Sequence, residues 1–304
     1  MALAATDRQG FIELLRKDIP GFNAARKALP ASTRLDLSGA ELGGLVLTQA
    51  HIGTCDLSRA NLAGATVTPL VLQSCRLEGA NLSGLRGEPG EALQRVLLIH
   101  SMWSDPSALN RAPTRVHNLT RVDLSGARLA GVDFTGVSLS ESWLIGTDLS
   151  DCKLSRAQLL KANLTGARFT GADLDRTALE GALLDDADFS RARLSSTNLK
   201  AAHLDRARFD GATLDNCQLS NAQGARASFA GATLRRLAVF GATLSQADFS
   251  GASFDRVEFN GCVLNGARLT GAKIVSLGFD GGSLQGAQLD GLTGAAPTFD
   301  GTKR

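Results

Sequence analysis

The chain has 304 residues, and its 32 Lys and Arg against 30 Asp and Glu give a formal net charge of +2. Charges this balanced, with no block of one sign, argue against a broad electrostatic footprint for nucleic acid or an anionic membrane. The amino terminus lacks the pattern of a signal peptide, and no apolar stretch is long enough to span a bilayer. We therefore expect a soluble, cytoplasmic protein, with export by a signal-less route as the alternative.

Residues 1–30 predict a helical segment. Phe11, Leu15 and Phe22 belong to an apolar stripe at helical spacing within residues 7–28, and charged residues occupy the other side. Pro20-Gly21 should kink or split this segment into two short helices.

Two stretches, 31–86 and 117–291, share a rhythm of five residues. A large apolar residue recurs at every fifth position, from Leu37 to Leu82 and from Leu119 to Leu289, with a small residue two places before it. Gly224 is the only clear break in the second stretch. A period of five fits neither a helix, at 3.6, nor a strand, at 2.0, so the pattern predicts a repeat architecture.

The local string A-(D/N/R)-(L/F)-x-G, as in Ala162-Asn163-Leu164-Thr165-Gly166, resembles the pentapeptide-repeat family. The resemblance implies an all-β solenoid, a right-handed quadrilateral β-helix with one pentad per side and four pentads per coil. On this view the helical segment at 1–30 is a cap that covers the exposed end of the first coil. A DNA-binding or partner-binding helix is the alternative interpretation.

A second periodicity, of twenty residues, tests the four sides independently. It predicts an internal column of rings formed by Phe169, Phe189, Phe209, Phe229 and Phe249. It also predicts an outward charge column in which the sign mostly alternates, formed by Arg128, Asp148, Arg168, Asp188, Arg208, Asp248 and Arg268. Coils spaced by ~4.8 Å would place opposite charges on neighbouring coils side by side. Such exposed pairs add little to the stability of the fold, but like charges would repel if the coils paired in another register, so the column favours the correct register.

The five-residue frame fails in residues 87–116, which we interpret as an insertion. Its core, Glu91 to Trp103, predicts a short apolar helix that ends near Asp105-Pro106. Such a helix should pack against the solenoid or bridge the two repeat blocks, and a protruding partner-binding element is the alternative.

Residues 292–304 are predicted to be a carboxyl-terminal tail. Gly294 interrupts the frame, Phe299 can rejoin it, and residues 302–304 should fray. No amphipathic helix is predicted to close this end, so an end-to-end homodimer through the last coil is plausible.

We find no catalytic constellation, no metal-ligand spacing and no cofactor motif. The four histidines are scattered. All five cysteines, Cys55, Cys75, Cys152, Cys217 and Cys262, occupy the small inward position of their pentads. We interpret them as reduced thiols that act as small apolar fillers. A disulfide between Cys55 and Cys75, which are twenty residues apart, is the alternative.

Apolar residues in outward positions are the candidate partner contacts: Trp143, Ile145, Leu183, Phe240 and, in the insertion, Trp103. Tryptophan is a common anchor at interfaces. Packing of Trp143 beneath the insertion is the alternative, because Trp143 follows the point where the insertion returns.

These features favour a non-catalytic binding or scaffold protein that acts through protein–protein contacts. The resemblance implies a DNA gyrase or topoisomerase as the most specific candidate partner, because family members of bacterial origin bind gyrase as DNA mimics and protect it from quinolones or natural poisons. The near-neutral repeats depart from the acidic surface that such a mimic should have. An effector or adaptor of a secretion or membrane-associated system is the alternative function.

Overall fold

The computed structural model describes residues 3–30, 32–67, 74–76, 80–81, 86–87, 117–127 and 129–304. The insertion at 87–116 falls almost entirely outside these residues, and so do Trp103 and Arg128. The chain forms two compact units. The first comprises residues 1–129 and 136–144, and the second comprises residues 130–135 and 145–304.

The first unit begins with two helices, α1 (Arg8–Lys17) and α2 (Ile19–Lys27). The helices separate at Asp18, whose carboxylate accepts a hydrogen bond from the N–H of Gly21, 2.9 Å away. Pro20 lies in the first turn of α2, where its missing N–H costs nothing. The predicted split into two short helices is therefore confirmed. Within the described residues, no helix is long and apolar enough to cross a membrane.

The two helices cover the first coil with both apolar and polar contacts. Phe11, Ile12, Leu15 and Phe22 are buried, and the rings of Phe11 and Phe22 meet edge to face with their centroids 5.9 Å apart. Four polar side chains bond to backbone groups on the outer edge of the coil. These bonds join Arg8 to Ser38, Arg16 to Glu41, Asn23 to Gln49 and His51, and Arg26 to Ile52. The cap thus pairs edge groups that no neighbouring coil can reach.

Short parallel strands follow, joined by isolated bridges. In the first unit the described strands are β1 (Leu35–Asp36), β2 (Thr54–Asp56), β3 (Thr66–Val67), β4 (Ser74–Arg76), β5 (Arg86–Gly87), β6 (His117–Asn118) and β7 (Val137–Ser138). In the second they are β8 (Arg193–Ser195), β9 (Thr213–Asp215), β10 (Thr233–Phe240), β11 (Ser253–Asn260), β12 (Lys273–Ile274), β13 (Leu277–Asp280), β14 (Thr293–Gly294) and β15 (Thr298–Asp300).

The pairing register shows the four sides directly. Four successive pentads of the second unit each pair with the residue twenty positions later: Arg168 with Asp188, Asp173 with Arg193, Ala178 with Asn198, and Leu183 with His203. Pairs at the same spacing recur in the first unit, such as Cys55 with Cys75. The predicted fold class, a right-handed quadrilateral β-helix with an N-terminal helical cap, is confirmed.

One bridge in the first unit shows where the insertion interrupts a coil. Asn81 pairs with Asp123, 42 residues later, although Asn61 pairs with Asn81 at the usual spacing of twenty. The spacing of twenty residues between paired positions is kept as far as the pair of Val67 with Gly87, and it returns at the pair of His117 with Val137. The extra residues therefore lie between Gly87 and His117, within one coil.

Large and small inward residues fill the core of the second unit. The rings of Phe169, Phe189, Phe209, Phe229 and Phe249 stack nearly parallel, with successive centroids 4.5 to 4.8 Å apart. At Gly224, where the large residue is missing, the backbone N–H still donates to the carbonyl of Thr243 at 2.8 Å. The break in the sequence pattern is therefore a missing side chain and not a change of register.

Two details differ from the expectations. Cys55 and Cys75 form a disulfide, with their Cα atoms 4.6 Å apart, so the interpretation of all five cysteines as reduced thiols is wrong for this pair. The prediction that residues 302–304 fray is wrong for Thr302 and Lys303, because the Thr302 hydroxyl donates to the carbonyl of Gly281 at 2.8 Å and Lys303 bridges Ser283. The preceding strands also pair, β14 with β12 and β15 with β13. Gly294 stands where the pattern expects a large residue, and its φ of +92° is one that glycine adopts readily. The five-residue pattern is therefore lost in the sequence although the backbone continues the coil.

Candidate partner-binding surface

Trp143, in the first unit, is held on a rigid backbone while its side chain is 47% exposed. Its N–H donates to the carbonyl of Val122 at 3.0 Å, and its own carbonyl accepts from the N–H of Leu124 at 2.7 Å. The preceding residue, Ser142, is buried, and its hydroxyl donates to the carbonyl of Leu119 at 2.8 Å. Two ladder bonds and a buried neighbour therefore fix the base of an exposed indole.

The indole stands at one end of a row of polar side chains that we call the Trp143 column. Successive bridges in the first unit link its members, which are Glu41, Asn61, Asn81, Asp123 and Trp143. The Asn61 amide donates to the Glu41 carboxylate at 2.7 Å. Because the column repeats at the coil spacing, it presents carboxylate and amide groups at regular intervals of ~4.8 Å.

Small residues flank the Trp143 column on one side. Gly43, Ala63 and Ser125 occupy the outward position two residues after Glu41, Asn61 and Asp123. At the following corner, a Cβ built on Gly44, Gly64 or Gly126 would meet no atom within 4 Å. This side of the column therefore carries only small side chains beside Glu41, Asn61 and Asp123, whereas Ile145 follows Trp143 at the same spacing and is exposed.

The other predicted contacts lie in the second unit or outside the described residues. Ile145, Leu183 and Phe240 are 43%, 37% and 53% exposed. Leu183 bridges Asn163 and His203, whereas Phe240 pairs with Asn260, so these two side chains belong to different columns. Sequence reasoning missed Val46 and Val275, which also point outward and are the most exposed large apolar residues in the described part of the chain.

The charge column occupies one side of the second unit. Bridges join Asp148 to Arg168, Arg168 to Asp188 and Asp188 to Arg208. Asp248 bridges Arg268 and forms an ion pair with it at 3.7 Å. Arg208 instead forms its closest ion pair with Asp210, two residues away, at 2.9 Å. Opposite charges therefore alternate along the column, and exposed pairs of this kind add little stability.

One carboxylate of this column has a shifted pKa. Partial burial raises the pKa of Asp188, but hydrogen bonds from Ser190, the charge of Arg208 and a hydrogen bond from Thr170 outweigh it and hold the pKa below its ordinary value. Asp188 is therefore an ionised structural acceptor at neutral pH and not a proton donor.

The three cysteines outside the disulfide, Cys152, Cys217 and Cys262, are buried fillers with unreactive thiols. Burial raises the pKa of Cys152 and of Cys217 to about 12, and it also raises the pKa of Cys262. The Cys217 thiol donates to the carbonyl of Leu194, 23 residues earlier. A hydroxyl at the equivalent inward position makes the same hydrogen bond: the Thr197 side chain, one coil earlier, donates to the carbonyl of Leu174 at 2.7 Å. Within the described residues, no group of His, Cys, Asp and Glu could hold a metal ion.

The pentads, the register of twenty and the four sides define a class, the pentapeptide β-solenoids. The chain belongs to the pentapeptide-repeat family. The family profile, described as pentapeptide repeats, matches more than half of the chain, with matches at residues 55–86, 118–156, 133–171, 162–200, 172–209, 202–236 and 240–274. Proteins of this family are generally non-enzymatic scaffold folds. No curated protein matches the chain.

Three solved structures give the structural context. HetL, a pentapeptide repeat protein involved in heterocyst differentiation regulation in the cyanobacterium Nostoc sp. strain PCC 7120, is 26% identical, with a TM-score of 0.50 over 61% of this chain and 82% of HetL. A pentapeptide repeat protein of the Arabidopsis thaliana thylakoid lumen is 33% identical, with a TM-score of 0.30 over 31% of this chain and 66% of that protein. The plasmid-mediated fluoroquinolone resistance protein QnrB1 is 17% identical, with a TM-score of 0.30 over 58% and 88%.

Proposed function

We propose that this protein is a non-catalytic scaffold that binds a protein partner through the Trp143 column. The observation that carries the proposal is the exposed indole of Trp143 on a backbone fixed by ladder bonds to Val122 and Leu124. A rigid aromatic side chain loses little conformational entropy when it is buried, and so it makes an efficient anchor.

The neighbours of Trp143 support a role in specificity. Asp123 bridges Trp143 directly and places a carboxylate beside the anchor, and Asn61, farther along the same column, adds an amide group. The small residues Gly43 and Ala63 leave room for a partner to approach the backbone at that far end of the column. An interface of this type combines one apolar anchor with polar contacts that set the register of the partner.

Site-specific photocrosslinking tests the proposal. A photoreactive phenylalanine analogue replaces Trp143 in cells, and the same analogue replaces Val46 in a matched control, because Val46 is also exposed in the first unit but lies outside the column. We expect one crosslinked partner from position 143 that is absent from position 46. The same products from both positions, or none from position 143, would contradict the proposal.

A DNA topoisomerase is the specific partner that the family suggests, and this assignment remains a prediction. The alternation of Asp148, Arg168, Asp188 and Arg208 does not favour mimicry of DNA, because a mimic should accumulate negative charge. A gyrase supercoiling assay with and without a quinolone tests it. Protection in that assay is the expected result if gyrase is the partner, and neither binding nor protection would exclude it.

Two other functional hypotheses also remain predictions. Fractionation of cells that carry a tagged copy tests the effector or adaptor hypothesis, and wholly cytosolic material would count against it. Sedimentation equilibrium tests the end-to-end homodimer, which predicts a mass twice that of the chain, and a monomer at all concentrations would exclude it.

A further inference from the structure

A cleft of about 430 Å³ opens in the first unit between α2 and the first coil. Its lining comprises Asn23, Ala24, Arg26, Lys27 and His51. Three of these five side chains, those of Arg26, Lys27 and His51, carry or can carry a positive charge, and none of the five is a carboxylate. This concentration of basic groups contrasts with the near-neutral balance of the chain as a whole.

Hydrogen bonds fix the wall of the cleft. The Asn23 amide donates to the carbonyl of Gln49 at 2.8 Å and accepts from the N–H of His51 at 2.7 Å. Both ends of this amide are thus occupied, so Asn23 holds the position of His51 and does not need to contact a ligand itself.

Arg26 is held in a similar way but keeps donors to spare. Its Nε donates to the carbonyl of Ile52 at 3.2 Å, and its Nη2 donates to the carbonyl of Thr33 at 2.9 Å. A guanidinium has five N–H groups, so three of them have no acceptor within the described part of the chain. Burial lowers the pKa of Arg26, which reflects the cost of keeping this charge partly away from water with no carboxylate partner among the described residues.

We propose that the cleft binds the phosphate group of a small phosphorylated ligand. A phosphate offers several oxygens and up to two negative charges, which match the spare donors of Arg26, the charge of Lys27 and a ring N–H of His51. A carboxylate matches them less well, because it brings one charge and two oxygens. The carboxyl end of α2, at Lys27, disfavours an anion, but its partial charge is smaller than the charges of Arg26 and Lys27 together.

The test measures the melting temperature and the heat of binding with inorganic phosphate as the probe. Acetate at equal ionic strength reports a carboxylate site, and a short DNA duplex reports a nucleic-acid surface. The variants are Lys27→Gln, His51→Gln and the double variant. Lys161→Gln, which changes an exposed lysine of the second unit, is the matched control.

We expect phosphate to raise the melting temperature of the wild-type chain in a saturable way, because a ligand that binds only the folded state stabilises it. Each single variant should raise the dissociation constant about two- to fivefold, and the double variant should raise it about tenfold or more. Lys161→Gln should behave as the wild type. Equal responses of all four variants, an equal shift with acetate, or binding of the duplex alone would overturn the proposal.

A measurement on the wild-type chain keeps the proposal testable if a variant does not fold. Nitrogen-15 and proton resonances of the His51 ring should shift progressively as inorganic phosphate is added, while those of His203 in the second unit should not. Unchanged His51 resonances at saturating phosphate would overturn the proposal.

Discussion

The guanidinium of Arg16 donates two hydrogen bonds to the carbonyl oxygen of Glu41, one from Nε at 3.0 Å and one from Nη2 at 2.8 Å. Arg16 lies in the last turn of α1, and Glu41 lies on the outer edge of the first coil. This contact shows how the cap works, because helix side chains satisfy carbonyls that would otherwise form an open sheet edge.

Replacement of Arg16 by alanine should therefore loosen the cap. We expect Arg16→Ala to lower the free energy of unfolding by about 1 kcal/mol, because two charge-assisted bonds are lost at an exposed site. Lys17→Ala is the matched control, since Lys17 forms an ion pair with Glu13 on its own helix and, within the described residues, with no group of the coil. Urea unfolding measures both, and equal losses in the two variants would argue against a role of Arg16 in capping.

The phenylalanine column should dominate the stability of the second unit. Phe209 stacks on Phe189 and on Phe229, with centroids 4.8 Å away on both sides. We expect Phe209→Ala to cost about 3 to 5 kcal/mol through lost contacts and a cavity, and Phe209→Leu to cost clearly less. Urea unfolding followed by circular dichroism measures the difference. A loss of less than about 1 kcal/mol in the free energy of unfolding of Phe209→Ala would contradict the close stacking of Phe209 between Phe189 and Phe229.

The buried thiols predict a sensitivity to alkaline pH. Between the ordinary thiol pKa of 9.0 and about 12, only the unfolded state of Cys217 loses its proton, so the native state binds more protons and stability falls as the pH rises. Cys217→Ser should remove this term, which amounts to roughly 2 kcal/mol between about pH 9 and 10.5. Chemical unfolding at these two pH values measures it.

Serine is the appropriate replacement for Cys217, because Thr197 already places a hydroxyl in the equivalent slot with a bond to Leu174. At pH 7 we expect the free energy of unfolding to change by less than about 1 kcal/mol. An identical pH dependence in the wild type and in Cys217→Ser would show that this thiol ionises in the native state.

The disulfide between Cys55 and Cys75 should stabilise the first unit. It closes a loop with a sequence separation of 20, so reduction should cost about 3 kcal/mol. Alkylation of the unreduced, unfolded chain should modify three cysteines, Cys152, Cys217 and Cys262, and mass spectrometry counts them.

A double variant, Cys55→Ala with Cys75→Ala, controls for other effects of the reductant. Its stability should not respond to reduction, whereas that of the wild type should fall. Alkylation of all five cysteines without reduction would contradict the disulfide.

The parts of the fold that repeat could be predicted from the sequence. Phe169 and Phe189 indicate the coil length because identical faces must recur once per turn, and Arg168 with Asp188 indicates the same register from the outside. Pro20 predicts the division of the helices, because it cannot occupy the interior of one continuous helix.

The parts that depend on single contacts could not be predicted. The bond from Arg16 to Glu41 belongs to no periodic pattern, and any outward arginine of the segment could have served as well. The spacing of twenty identifies Cys55 and Cys75 as neighbours on adjacent coils, but it does not tell a disulfide from two stacked thiols. The cleft beside Arg26 brings residues of α2 together with His51 of the first coil, and no periodic spacing in the sequence predicts that contact.

We propose that Trp143 anchors a protein partner, and a direct affinity measurement tests this role best. With the crosslinked partner purified, titration calorimetry compares the wild type with Trp143→Ala and with the control Val46→Ala. We predict that Trp143→Ala raises the dissociation constant at least ~30-fold, as expected when a buried aromatic anchor is lost, and that Val46→Ala leaves it unchanged. Equal affinities of the wild type and Trp143→Ala would contradict the account.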